Sequence, residues 1–205
     1  MDSITIKFIT NIAKPWDELN HLLCQRIAFQ PEISDITRLA GSLAVAIKHQ
    51  AEEANIERGV VDIESLENRL MSDVADSWKH GILKNPKRNN SFSVNAQFEC
   101  DDKNNFRYVR NIVTVNHQSE SAFDFMVVSM KAIQYWILKL QMTLCWQPAI
   151  SEGSVDFHET AFLFFNSKYQ VSMSSTGIQI VKRNELNQLI PYDGPSVKLA
   201  IYEQK

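Results

Sequence analysis

The sequence predicts an α+β fold, with helices and strands segregated along the chain, and three observations carry that expectation. Apolar residues recur at three- and four-residue intervals through residues 15–80 and again through 125–146. Residues 92–100 alternate strictly between apolar and polar, and from Gly153 onward short β-branched and aromatic runs are separated by Asn, Ser, Gly and Pro. The predicted order is an N-terminal strand, three bundled helices, a β-hairpin, one long central helix and a C-terminal antiparallel sheet, all in a single globular domain over residues 1–205.

Each element has its own signal. In "MDSITIKFIT", Ile4, Ile6 and Phe8 alternate with polar neighbours, which reads as a strand. Pro15 stands where a helix can start, Leu19, Leu22, Leu23 and Ile27 follow at helical spacing, and Pro31 stops the run. Ser34 then offers an N-cap for a second helix with Ile36, Leu39, Leu43, Ile47 and Ala54 on one face and Gly59 at its end. The alanine content of this helix permits close packing. A third helix takes Asp62 as N-cap, Ile63, Leu66, Leu70, Val74 and Trp78 as its apolar face, and Gly81 as its stop.

"SFSVNAQFEC" is the strongest strand signal, "DDKNN" supplies turn residues, and "FRYVRNIVTVNH" returns as the second, more central strand of a hairpin. Ser121 with Asp124 forms a capping signature for a long helix running to Trp146, with Met126, Met130, Ile133, Ile137, Leu140 and Leu144 on its core face. The last strands are "TAFLFF", "YQVSM", "GIQIVKR" and "VKLAIYE".

Bulk composition excludes little. The 205 residues are 44% hydrophobic and 22% charged, enough for a sizeable core, and the net charge of −3 sets no global bias toward nucleic acid or anionic lipid. The N-terminus lacks a secretion signal, and Lys131, Gln134, Lys139 and Gln141 interrupt the most apolar segment, so no membrane span is expected. Cys24, Cys100 and Cys145 are far apart and lack CxxC spacing, which suits a reducing cytoplasm, with no zinc site and no cofactor implied. The chain reads as a cytoplasmic protein of bacterial character.

Four constellations could carry chemistry. In "RNIVTVNH", Arg110, Asn111 and His117 form an arginine, a following polar residue and a histidine a few positions on. This resembles the HEPN superfamily, whose members include toxin and defence ribonucleases. The resemblance implies an all-helical dimer that cleaves RNA without metal, His117 serving as general acid or base and Arg110 steadying the scissile phosphate. Periodicity tests it: on a helix the two residues share a face about 10 Å apart. On a strand they point to opposite faces about 23 Å apart. The local β-branched residues favour the strand.

Asp73, Asp76 and His80 occupy positions i, i+3 and i+7 of the third predicted helix, one face that could bind a metal or simply pair and cap. The loop 84–88, with Lys84, Lys87 and Arg88, follows an acidic stretch; with Arg107 beside Phe106 and Tyr108, it could touch nucleic-acid phosphates and stack a base. The same charges could instead meet the acidic helix faces of another copy. Asp156 and His158 share one side of an extended segment, about 7 Å apart. No serine elbow, glycine-rich phosphate loop or HExxH motif adds to these. The expected function is therefore a non-catalytic binding or assembly module acting through protein contacts as a homo-oligomer or with another protein, with HEPN-like cleavage by Arg110 and His117, or plain RNA or DNA binding, as the alternatives.

Overall fold

The structure, a computed structural model, describes residues 2–169, 177–194 and 197–204. It mixes helix and sheet, which departs from the all-helical form that the HEPN resemblance implies. The chain divides into two compact units interleaved in sequence: Met1–Asn20, Thr37–Ser93 and Thr114–Ile150 form the first, and His21–Ile36, Val94–Val113 and Ser151–Lys205 the second.

The expected N-terminal strand is a helix. Helix α1 spans Ser3–Phe8 and is capped by Asp2, whose carboxylate accepts from the Thr5 amide at 2.7 Å. A π-helical turn over Ile9–Ala13 leads into α2, Lys14–Leu23. Helical spacing of Phe8, Ile12, Trp16 and Leu19, all buried, overrides the short 4-6-8 alternation. Helix α3 spans Glu32–Glu53, so Ser34 lies inside it; it ends before Gly59, which sits within α4, Arg58–Glu64. At Gly41 an added Cβ would fall 2.2 Å from the Trp78 ring, the close packing that the alanine-rich face foreshadows.

Helix α5 spans Leu66–His80, and its N-cap is Ser65, not Asp62. The Ser65 hydroxyl accepts from the Asn68 amide, while Asp62 is already helical in α4. The chain break between α4 and α5 shifts the phase, so Val61 is buried while Ile63 and Leu66 are exposed. Gly81, at φ 69°, ends α5, its amide bonding the Ser77 carbonyl at 2.8 Å.

Helix α6 spans Phe125–Lys139, capped by Asp124 through the Met126 amide. It stops seven residues short of Trp146, with Gln141 at positive φ just beyond its end. Met126, Ile133 and Ile137 are buried as expected, joined by Phe125, Ser129 and Trp136. Helices α5 and α6 pack together through polar bonds as well as apolar contact: Trp136 Nε1 donates to Asn68 Oδ1 at 2.7 Å and the Asn68 amide donates to the Ala132 carbonyl. Trp16 Nε1 donates to Ser129 Oγ at 3.1 Å. No helix among the described residues is long and apolar enough to cross a membrane.

Strands β1, Asn90–Cys100, and β2, Phe106–His117, match the expected hairpin and contribute residues to both units. With β3, Phe123–Asp124, β5, Gly177–Arg183, and β6, Leu189–Pro191, they form a mixed sheet in the order β3-β2-β1-β5-β6. The first hairpin strand is thus the central one. The β1–β5 pairing is parallel, and β4, Ala161–Phe165, pairs in parallel with β7, Leu199–Glu203, in a separate small sheet. The C-terminal strands therefore do not form the single antiparallel set expected; only β5 and β6 pair that way. Parallel pairing needs long crossovers, which local residue patterns do not announce. The expected strand "YQVSM" lies largely outside the described residues.

In the second unit the core gathers Phe29, Ala96, Phe98, Phe106, Tyr108 and Leu163. The expected solvent face of β1 is covered there as well, because Gln97 and Glu99 are buried. Glu99 accepts from Arg107 Nε at 2.8 Å and from Arg183 Nε at 3.0 Å, while Glu152 pairs with both arginines at 2.6 and 2.8 Å. Burial opposes the charge on Glu152, yet hydrogen bonds from Arg107 and Arg183 hold its carboxyl below the usual range.

Candidate functional site

A cleft of about 570 Å³ lies within the first unit, lined on one side by α5. Arg69, Ser72, Asp73 and Asp76, at i, i+3, i+4 and i+7, present one polar face of that helix to it. Lys48 from α3, Arg58 and Asp62 from α4, the 85–88 loop, and Ser119 and Glu120 beyond β2 complete the lining.

Most charges in the cleft are committed to one another. Arg88 spans both helix acids, its Nε donating to Asp73 Oδ1 at 2.5 Å and its Nη2 to Asp76 Oδ2 at 2.7 Å. Lys48 Nζ bonds the other Asp76 oxygen, Arg69 pairs with Glu120 at 3.0 Å, and Arg58 with Asp62 at 3.0 Å. Burial works against the Asp76 carboxylate, but bonds from Lys48 and Arg88 outweigh it and keep its pKa below the ordinary value. Burial likewise opposes the Arg88 charge, and the two aspartates more than compensate, raising its pKa.

Behind this face, His117 is fixed at both ring nitrogens. The Ser119 amide donates to Nδ1 at 3.3 Å, which selects the tautomer carrying its proton on Nε2, and Nε2 lies 3.3 Å from Asp73 Oδ2. The Ser119 hydroxyl is 3.5 Å from Nδ1, at the outer limit of a hydrogen bond. Asp73 is thus the hub, with Arg88 on one oxygen and His117 on the other.

The sequence candidates scatter. Arg110 and His117 lie seven residues apart on strand β2, an odd separation, with Arg110 in the second unit and His117 in the first. Arg110 is buried near Cys24, whose thiol burial pushes up and the Arg110 charge pulls down. Of the metal candidates, Asp73 and Asp76 meet in the cleft, but His80 is exposed at the end of α5 with no bond to either. No group of three or more His, Cys, Asp or Glu placed to hold a metal ion occurs among the described residues.

Lys84 and Lys87 are exposed on the basic loop, where the Asn85 side chain caps the Lys87 amide, but Arg88 is taken up by the aspartates. Arg107 is buried in its ion pairs in the second unit, and Phe106 and Tyr108 are buried core residues with no face available to stack a base. His158 packs edge-on against Phe162 at 5.2 Å and bridges Phe106 through its backbone, and nothing joins its ring to the exposed Asp156.

Sequence reasoning missed Lys48, Arg58, Arg69, Ser72, Ser119 and Glu120. Arg69 and Ser72 could have been found by extending the Asp73–Asp76 stripe one turn back along the helix. Comparison with known proteins finds no matching family model, no matching curated protein and no matching solved structure.

Proposed function

We propose that this chain is a non-catalytic binding protein that works through protein contacts, with a second copy of itself as the partner. The observation that carries the reading is an exposed apolar ridge bordered by the charged cleft. Val60 and Ile63 lie three residues apart on one side of α4 and Leu66 follows at the start of α5; Ile63 is 88% exposed. Arg58, Asp62 and Arg69, interspersed with them in sequence, line the cleft. An apolar centre with a charged rim is the anatomy of a protein interface. The mutual pairing of Asp73, Asp76, Arg88 and His117 supports the non-catalytic part, because both ring nitrogens of His117 are already engaged and the two carboxylates are neutralised by Arg88 and Lys48.

A cytoplasmic setting suits the three free thiols, Cys24, Cys100 and Cys145. Sedimentation velocity of the full chain up to millimolar concentration tests the proposal. The wild type associates with increasing concentration, and Ile63→Glu, which alters an already exposed side chain, stays monomeric. A wild type that remains monomeric throughout, or an Ile63→Glu variant that associates equally, overturns it.

A further inference from the structure

The small sheet of the second unit has one face in the core and one toward solvent. Ala161 and Leu163 of β4 are buried on the inner side, and the register sets Phe162 beside Ala200 and Phe164 beside Tyr202 on the other. Three aromatic rings share this outer face: Phe162 lies 5.7 Å from Phe164 and 5.9 Å from Tyr202, and Phe164 lies 6.2 Å from Tyr202. The two phenylalanines are half-buried, while Tyr202 is 53% exposed. These four outward positions carry no acid, and exposed Lys198, two residues ahead of Ala200, continues the row.

Arg26 brings further positive charge to the same face. The Phe164 amide donates to the Arg26 carbonyl at 2.8 Å, which seats Arg26 against β4, and its guanidinium carbon lies 4.1 Å over the Phe162 ring. Its Nη2 donates to the neutral Ser154 hydroxyl at 2.9 Å, and no carboxylate among the described residues forms an ion pair with it. Burial lowers the Arg26 pKa, and the field of Asp156 offsets this only in part. A half-buried guanidinium that stacks on a ring and lacks a carboxylate suits a phosphate, which its planar fork can hold by two hydrogen bonds.

We propose that the outer face of the β4–β7 sheet binds single-stranded nucleic acid, with bases stacked on Tyr202 and Phe164 and a backbone phosphate on Arg26. Rings on an open sheet face accept any base, and the cation beside them selects the anionic strand. Bases of a duplex are stacked on one another, so a duplex offers no free ring to this face. The platform shares no residue with the basic loop 84–88 or with the apolar ridge of the first unit.

Fluorescence anisotropy of the full chain with a short fluorescein-labelled oligouridylate tests this, beside a duplex and an abasic oligomer of equal length. The expected result is saturable binding of the oligouridylate alone. Tyr202→Ala, a change at an exposed side chain, weakens binding about tenfold, and Tyr202→Phe, which keeps the ring, leaves it unchanged. Arg26→Gln also weakens it and reduces the steepness of log affinity against log salt by about 0.7, one phosphate contact. Lys84→Ala/Lys87→Ala binds as the wild type does. Absence of saturable binding, equal binding of the duplex or the abasic oligomer, or a Tyr202→Ala variant that binds normally overturns the platform. An unchanged salt dependence in Arg26→Gln overturns its role at the phosphate, and loss of binding in Lys84→Ala/Lys87→Ala overturns the location.

Discussion

Removing the Asp73 carboxylate should destabilise the first unit by an amount that depends on what replaces it. The His117 side chain is 2% exposed and that of Asp73 10%, so Asp73→Ala leaves a buried Nε2–H without its acceptor, which costs about 1–3 kcal/mol. The Arg88 contribution is smaller: its side chain is 40% exposed and it keeps Asp76, so solvent screening holds the lost pairing to about 1 kcal/mol or less. Together these predict a loss of about 1–4 kcal/mol for Asp73→Ala. Asp73→Asn keeps one oxygen for the imidazole but turns an amide NH2 toward Arg88, so it loses the charge and the screened Arg88 bond and should cost about 1 kcal/mol. Urea unfolding followed by circular dichroism measures both, and at a slope of about 2 kcal/mol/M Asp73→Ala moves the midpoint down by about 0.5–2 M. If Asp73→Ala unfolds with the wild type, or Asp73→Asn costs as much as Asp73→Ala, then Asp73 does not act as the acceptor that holds His117.

Two further outcomes follow from other ion pairs. Glu99→Met should cost about 3 kcal/mol, because buried Arg107 loses one of its two carboxylates and keeps only Glu152 and the Ser154 carbonyl, and Glu99→Met/Arg107→Met should recover much of it by removing both charges. Thermal unfolding of the two variants decides this, and a double variant weaker than the single one refutes it. Burial and the nearby Glu64 carboxylate push the Tyr135 phenol up to about 12 from its usual 10, so a 295 nm titration of the wild type minus Tyr135→Phe should show a midpoint near 12. The folded value is the higher one, so the associated stability is whole below pH 10 and is lost as pH rises through 12. Glu64→Gln should bring the midpoint back toward 10; an unchanged midpoint refutes the assignment.

Much of the secondary structure was legible because its causes are local. The strict alternation of residues 92–100 and the Asp101–Asn105 turn, in which Asp101 accepts from the Lys103 and Asn105 amides, give the hairpin directly. Gly81 is a C-terminal stop because it needs a positive φ, a local requirement. The errors arose where two local signals competed. Ile4, Ile6 and Phe8 alternate, but the deeper periodicity from Phe8 through Leu19 places one continuous row in the core, and burial decided for the helix. Ser65 and Asp62 are both good caps, and the Ser65 side chain prevailed because the chain turns there, with φ −140° at the cap.

The candidate site was half legible. Asp73 and Asp76 were visible as one helix face, since a period of 3.6 residues is written in the sequence. Their partners Lys48, Arg88 and His117 come from segments 12 to 44 residues away, a proximity that no periodicity encodes.

By itself the sequence determined which stretches bury an apolar face and with what period, and so the helices α2, α3 and α5 and the strands β1 and β2 in outline. It also supplied the β-branched residues that favoured a strand for Arg110 to His117 over a helix. Only the tertiary structure decided how strands pair and which charges meet. Pairing direction depends on where long connections bring the chain back, and an ion pair on distances across space, neither of which is a property of neighbouring residues. The histidine that suggested a nuclease is thereby placed against Asp73, where it buttresses a charged cleft.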